Sequence, residues 1–448
     1  MYDLIIIGGG PAGYVAAEQA GGLGKKALLV ERDPHLGGVC LNTGCIPTKT
    51  MLHCATLYAN ASEGDAFGVH AEELRFDYAA VRKHVDKTVD RLRKGVRALM
   101  RQNKVDVKAG DARITGRTAI RVNDETYEGE HLLVCTGSRP YLPPIDGLKN
   151  NDRVLTNADI LALDEMPDRL AIIGAGIIGC EFACLYACAG KEVVVVEMLD
   201  HVGGDTEPEL AKVMQKELHK RGVTFHLQAT VNEVDGATIK FQDKKGKERT
   251  FEADAVLVAT GRSANTEGFG LEDLGVDAHD GRIQVDDRAR TNVPGAYAAG
   301  DVTGRQPFAH FAYRQGTVAV QHMFGQDAIC REDAVPAVIY TDPELASVGL
   351  TEAEAREQGR EVKTAKFPLT NNGRYLAETR GQRGLAKAVV GAQHGELLGM
   401  HIVAPHASEM IATAAVMIET ELRAPDIREL IFPHPTISEA LRDVLHGV

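Results

Sequence analysis

One glycine pattern occurs twice in the chain, 166 residues apart, and it restricts the fold more than any other feature. The first copy follows the apolar run Leu4-Ile5-Ile6-Ile7 and reads Gly8-Gly9-Gly10-Pro11-Ala12-Gly13. Ala17 and Gly24 come next, and a second apolar run, Ala27 to Val30, ends on Glu31. The second copy follows Leu170-Ala171-Ile172-Ile173 and sets Gly174, Gly176, Gly179, Ala183, Gly190 and Glu197 each 166 positions after its counterpart. In a strand–turn–helix–strand unit the first glycine permits the tight turn, the second lets the backbone approach a pyrophosphate, and the third lets the helix pack closely on the strand. The helix N-terminus offers free N–H groups and partial positive charge to the phosphates. The closing glutamate, Glu31 or Glu197, accepts hydrogen bonds from ribose hydroxyls. A lone copy would be weak evidence, because glycine turns are common. Two strand-flanked copies ending on Glu at the same distance imply two bound dinucleotides.

A further pair of echoes supports that count. Leu132-Leu133-Val134-Cys135-Thr136-Gly137 and Val256-Leu257-Val258-Ala259-Thr260-Gly261 are both buried-strand patterns ending in Thr-Gly, each closing a nucleotide-binding sheet. Pro294 to Asp301 reads as a strand ending in Gly-Asp, which sets a carboxylate beside a polyhydroxyl chain such as the ribityl of a flavin. By itself Asp301 would read as a helix cap.

Composition narrows the class. At 448 residues the chain calls for two to four domains. With 44 % hydrophobic and 25 % charged residues it matches soluble globular proteins. No apolar run reaches the roughly 18 to 20 residues needed to span a bilayer, and the sequence runs directly into a strand with no signal peptide ahead of it, so the expected location is cytoplasmic. A net charge of −13 argues against nucleic-acid binding, which needs a basic surface. Eight cysteines in an unsecreted chain do not form a disulfide framework, so any pair that cycles is catalytic.

Such a pair stands in Gly37-Gly38-Val39-Cys40-Leu41-Asn42-Thr43-Gly44-Cys45-Ile46-Pro47-Thr48-Lys49. On an ideal helix the two cysteines would be about 7.5 Å apart along the axis, beyond the ~7 Å Cα limit of an unstrained disulfide. A bridge therefore requires distorted backbone, which Gly37, Gly38, Gly44 and Pro47 make accessible. Cys180, Cys184 and Cys188 recur every four residues. One straight helix cannot wrap three such thiols around a tetrahedral ion, so they read as small core residues and no metal site is expected.

Cys40 to Lys49 closely resembles the redox-active motif of the flavoprotein pyridine nucleotide-disulfide oxidoreductase family. The resemblance spans the whole chain, including both glycine motifs, the Ala-Gly-Asp segment, Tyr340-Thr341-Asp342-Pro343-Glu344 and the terminal His434-Pro435-Thr436-Ile437-Ser438-Glu439. It implies FAD on the first dinucleotide unit and a nicotinamide on the second. Cys40 becomes the thiol that exchanges with substrate, and Cys45 the one that faces the flavin. His434 becomes the acid/base that deprotonates the incoming dithiol, oriented by Glu439. A base is needed because only thiolates attack disulfides and an ordinary thiol is mostly protonated at neutral pH. Lys49 and Glu181 are expected as a pair beside flavin N5, and His310 at the flavin pyrimidine. Phe432-Pro433 ahead of His434 departs from the family pattern.

The implied architecture is α/β, with two Rossmann-like dinucleotide-binding domains, the second inserted in the first, and a C-terminal α+β dimerisation domain. The expected segments are 1–140 and 263–328 for FAD, 141–262 for NAD and 329–448 for the interface, with strands Leu385 to Val390 and Glu396 to Val403 and a helix from Ser408 to Leu422 in the last. Glu197 would repel the 2′-phosphate of NADP and no Arg follows it, which favours NAD. Gly179 agrees, since NADP-using relatives often carry Ala there. The chain ends without the second thiol pair of mercuric and large thioredoxin reductases. The expected reaction is oxidation of the dihydrolipoyl group of a carrier protein, either the lipoylated acyltransferase component of a 2-oxo acid dehydrogenase complex or the glycine-cleavage H-protein, by a homodimer in which His434 and Glu439 of one subunit complete the site of the other. The competing expectations are an NADH-dependent reductase of another small or peptide disulfide, and a redox sensor that holds FAD without turnover.

Overall fold

Strand β1 (Tyr2–Ile7), helix α1 (Pro11–Gly22) and strand β2 (Ala27–Glu31) form where the first glycine pattern requires them. In this computed structural model, which describes residues 1–448, β1 and β2 pair in parallel. Leu4, Ile5 and Ile6 are fully buried. Both faces of such a strand are covered, so its sequence is continuously apolar rather than alternating. The small residues Ala12, Ala16, Ala17 and Ala20 let α1 lie close on the sheet.

Two compact units emerge. Residues 1–50, 82–141 and 262–332 make the first, and 51–81, 142–261 and 333–448 the second. The sheet of the first unit runs Asp106–Ala109, β2, β1, Glu125–Val134 in parallel, and Ala296–Ala298 pairs in parallel with Glu125–Val134. Between those last two strands the chain leaves to build a second parallel sheet, ordered Val223–His226, Glu192–Val196, Arg169–Ile173, Ala255–Val258, Val154–Leu155. The second nucleotide fold is thus inserted in the first. Thr136 and Asn265 tie the exit to the return: Thr136 Oγ1 donates to the Asn265 carbonyl at 2.6 Å, and Asn265 Nδ2 donates to the Thr136 carbonyl at 2.9 Å.

The C-terminal sheet is antiparallel, in the order Ala337–Ile339, Glu344–Gly349, Leu397–Ala404, Leu385–Gly391, Val362–Pro368. Helix Ala407–Glu419 covers one face through Met410, Ile411, Ala414, Met417 and Ile418, one apolar stripe at helical spacing. It ends three residues before the expected Leu422. Glu421 turns left-handed at φ 54°, and the Leu422 and Glu421 N–H groups close back on Met417 and Ile418. On the opposite face Lys387, cross-strand from His401, is buried and ion-paired to Glu207 at 2.9 Å, Glu352 at 3.0 Å and Glu209 at 3.3 Å. Burial opposes its charge, but the three carboxylates outweigh that and hold the ammonium above its ordinary range. No helix is long and apolar enough to cross a membrane.

Candidate functional site

The dithiol segment folds as two helices meeting at a break. Helix α2 (Gly38–Thr43) carries Cys40, Gly44 turns the backbone out of helical geometry at φ −143° and ψ −112°, and helix α3 (Cys45–Ser62) starts on the second cysteine. The distortion expected from the spacing is therefore located at one residue. A Cβ on Gly44 would stand 2.9 Å from the Val39 carbonyl oxygen, so glycine is required there. The Cys40 and Cys45 side chains are hydrogen-bonded. That bond, reinforced by burial, pushes the Cys40 thiol up, while Lys49 pulls in the other direction. Gly38 packs against Gly10: a Cβ on Gly38 would reach within 2.7 Å of the Gly10 Cα. The start of α2 thus abuts the first glycine turn.

The two glycine turns are built alike. Gly8 and Gly174 both have φ 102°, and a Cβ on either would collide with a carbonyl, that of Cys135 at 2.3 Å or Ala259 at 2.5 Å. A Cβ on Gly13 or Gly179 would strike the carbonyl of Gly8 at 1.8 Å or Gly174 at 2.0 Å. Gly176 faces open space, as a backbone that must admit a pyrophosphate requires. Glu31 accepts the Gly9 and Asp33 N–H groups at 2.7 and 3.0 Å. Glu197 does the same with Ala175 and Leu199 at 2.6 and 2.8 Å. A cavity of about 380 Å³ opens beside Glu31, lined by Leu36, Arg97, Met100, Arg101 and Lys108 among others. The residues present fit two dinucleotides.

Asp301 follows Gly300, whose φ of 83° sharply reverses the chain after strand Ala296–Ala298. Its Oδ2 accepts the Ser138 hydroxyl at 2.5 Å, and Ser138 in turn accepts Arg262 Nε at 2.7 Å while its carbonyl accepts Arg262 Nη2 at 2.7 Å. Burial lowers the Arg262 pKa, against the pull of Asp301 and Cys45. Ser138 and Arg262 escaped the sequence reading. The available signal was positional, since each directly follows one of the two Thr-Gly pairs. Gly137 and Gly261, in those pairs, adopt φ of 67° and 115°.

In the second unit the ring of His434 projects into solvent, with Nδ1 3.0 and 3.2 Å from the two Glu439 oxygens. Glu439 closes a capping box with Thr436, whose N–H donates to Oε2 at 3.0 Å. That backbone bond, then His434, holds the Glu439 carboxyl below its ordinary value. With Nδ1 engaged, Nε2 is the nitrogen left to take or give a proton.

Lys49 lies one turn into α3 in the first unit. Glu181 is buried in helix Ile177–Cys188 of the second, where Oε1 accepts the Tyr340 N–H at 3.2 Å. His310 is exposed in the first turn of helix Ala309–Met323, with its ring stacked on Phe308. Cys180, Cys184 and Cys188 are buried along one helix.

The model for pyridine nucleotide-disulphide oxidoreductases matches residues 2–316, and the model for the dimerisation domain of those proteins matches 335–445. The chain is 39 % identical over 447 residues to the dihydrolipoyl dehydrogenase of Bacillus subtilis, covering 98 % of this chain and 94 % of that one. Among solved structures it resembles LpdA of Mycobacterium tuberculosis (TM-score 0.90, 28 % identity, covering 100 % and 99 % of the two chains). It also resembles the HOCl-induced flavoprotein disulfide reductase RclA of Escherichia coli (TM-score 0.88, 27 % identity, covering 99 % of each).

Proposed function

The chain belongs to the pyridine nucleotide-disulphide oxidoreductase family, and from that premise we propose that it oxidises the dihydrolipoyl group of a carrier protein to its cyclic disulfide, passing two electrons through the Cys40–Cys45 pair and FAD to NAD. The observation that carries this reading is the 39 % identity, over nearly the full length of both chains, to a dihydrolipoyl dehydrogenase, with Cys40 and Cys45 held as a hydrogen-bonded pair.

Cys40 is the exchange thiol. One sulfur of the incoming dithiol, as thiolate, attacks the oxidised pair at Cys40 and releases Cys45 as the leaving thiolate. The second substrate sulfur then displaces Cys40, closing the substrate disulfide and leaving both cysteines reduced. Cys45 is the first residue of α3, so the partial positive charge of the helix N-terminus favours an anion there. His434 takes the substrate proton at Nε2, and Glu439 holds the ring by Nδ1 and stabilises the imidazolium. The flavin, when bound, supplies a two-electron acceptor that passes hydride to the nicotinamide. Gly8, Gly10, Gly13, Glu31, Thr136, Gly137, Asp301 and His310 hold FAD. Gly174, Gly176, Gly179, Glu197 and Gly261 would hold NAD, and Lys49 and Glu181 would each serve the reacting end of the flavin.

The protein is a homodimer acting on a lipoyl-bearing partner. His434 and Glu439 of each subunit serve the dithiol of the other. The carrier is the acyltransferase of a 2-oxo acid dehydrogenase complex or the glycine-cleavage H-protein. Likeness to the Escherichia coli disulfide reductase supports a second reading, NADH-dependent reduction of another disulfide. Steady-state assays separate them: NAD with dihydrolipoamide and with a dihydrolipoylated carrier domain should turn over fastest, and preferential reduction of glutathione disulfide by NADH would favour the second.

A further inference from the structure

The helix turn that carries Cys40 has little of its own to hold it. α2 is six residues long, too short to be stable alone, and its entry runs through Gly37 and Gly38, left-handed at φ 110° and 58°. Its exit is the break at Gly44. Asn42 Nδ2 donates back to the carbonyls of Gly38 at 2.9 Å and Leu36 at 3.3 Å, so the Asn42 side chain closes the turn on which Cys40 lies. Asn42 Oδ1 in turn accepts Arg93 Nε at 2.7 Å. Arg93 belongs to helix α4 (Tyr78–Gln102), where it stands one turn from Val89 and from Val96, both buried. It is half-buried itself, and its Nη1 pairs with Asp90 at 3.1 Å. Four residues on, Arg97 Nη2 donates to the Pro34 carbonyl at 3.0 Å, a second tie between α4 and the segment leading into α2.

We propose that Arg93 and Asn42 form a clamp that keeps the Cys40 turn in place while the Cys40–Cys45 disulfide is open. The inference rests on the functional reading above. When a dithiol reduces the pair, the S–S bond joining α2 to α3 across Gly44 breaks and two thiols remain. The covalent tie is then gone. α2 is held by non-covalent contacts, among them the Gly37 N–H to the Gly9 carbonyl at 2.8 Å, the Cys40–Cys45 hydrogen bond and the clamp. The guanidinium charge polarises the Asn42 amide, so Nδ2 donates more strongly to Gly38 and Leu36. Without Arg93 the Asn42 side chain is free to turn away from Gly38. The Cys40 sulfur then loses the fixed relation to Cys45 that closing the disulfide again requires. Arg93 and Asn42 act through the backbone of α2, as positioning residues.

The test uses the FAD-loaded dimer, equilibrated with mixtures of reduced and oxidised dithiothreitol, with the reduced fraction of the pair read by quenching, alkylation and mass spectrometry. Arg93→Leu frees the reduced turn more than the oxidised one, which its disulfide still restrains. The equilibrium should therefore move toward the dithiol by roughly three- to tenfold, the size of one ordinary hydrogen bond. Amide hydrogen exchange in residues 36–44 should quicken about tenfold in the reduced protein and much less in the oxidised protein. Arg93→Lys keeps a cationic donor and should recover part of both effects. Asn42→Ala should do at least as much as Arg93→Leu, and the double variant should go little beyond Asn42→Ala, because the two residues act as one unit. Lys94→Leu, at an exposed neighbour on α4, should change neither reading. Exchange raised equally in both redox states, or an equilibrium unmoved by Arg93→Leu, overturns the clamp. Native protein in which Cys40 and Cys45 never form a disulfide would instead overturn the functional reading.

Discussion

Glu197 accepts the backbone N–H of Ala175 at 2.6 Å, so the acid that ends the second strand of its unit also holds the glycine turn that starts it. Glu31 holds Gly9 the same way at 2.7 Å, in the first copy. If the same carboxylate also binds ribose, as proposed, it links turn shape to ribose recognition. Replacing Glu197 with Ala should weaken NAD binding by about 1.5 to 3 kcal/mol, the range for hydrogen bonds to a charged group, and narrow the preference over NADP. Glu197→Gln keeps an acceptor for Ala175 and should lose less. Titration of the nicotinamide followed by flavin fluorescence measures both, and equal use of NADP by the native protein would contradict the assignment.

The break at Gly44 puts the two thiols on separate helices, and the roles proposed for them can be told apart. Two-electron reduction of the native protein should give a long-wavelength charge-transfer band; Cys40→Ser, which has no disulfide to reduce, should show that band while the flavin is still oxidised, and Cys45→Ser should lack it. Both variants should lose dithiol oxidation. The band in Cys45→Ser but not in Cys40→Ser would reverse the roles.

Much of this was legible because the physics is local and repeated. The Gly8 and Gly174 turns and the tight packing at Gly13 and Gly179 follow from spacing, while the insertion of one sheet in the other was an implication of the family resemblance. The need for distorted backbone between Cys40 and Cys45 was legible too, though not that Gly44 alone carries it. Ser138 and Arg262 were missed because they meet Asp301 only after the chain has gone out through the inserted sheet and returned. The helix stop at Glu419 was missed because a left-handed Glu421, not a glycine, makes the turn. The buried Lys387 had no sequence signal, since an isolated lysine between alanines in a strand reads as an edge residue.

Lys387 supplies a stability prediction. Its side chain is 2 % exposed and Glu207 beside it 5 %, so Lys387→Met leaves a buried carboxylate without its counter-charge. The expected cost is about 3 to 5 kcal/mol, seen as a lower apparent melting temperature. Glu207→Gln in the same chain should restore part of it. Unchanged melting of Lys387→Met would show that the cluster contributes nothing.

A site shared between subunits predicts complementation. His434→Gln and Cys45→Ser homodimers should each be nearly inactive, but a doubly tagged heterodimer of the two contains one site with every group intact. About half the native rate per dimer is expected. Background activity at full FAD occupancy would rule the shared site out.

Passage of electrons from a dihydrolipoyl group to NAD through this dithiol can be followed in an anaerobic single turnover. The FAD-loaded protein is reduced with dihydrolipoamide, separated from it, and mixed with NAD in a stopped-flow instrument. NADH should form in stoichiometry with reduced subunits, and neither Cys40→Ser nor Cys45→Ser should form it. Failure of dihydrolipoamide to reduce the protein, while NADH reduces it readily and another disulfide reoxidises it, would contradict that route.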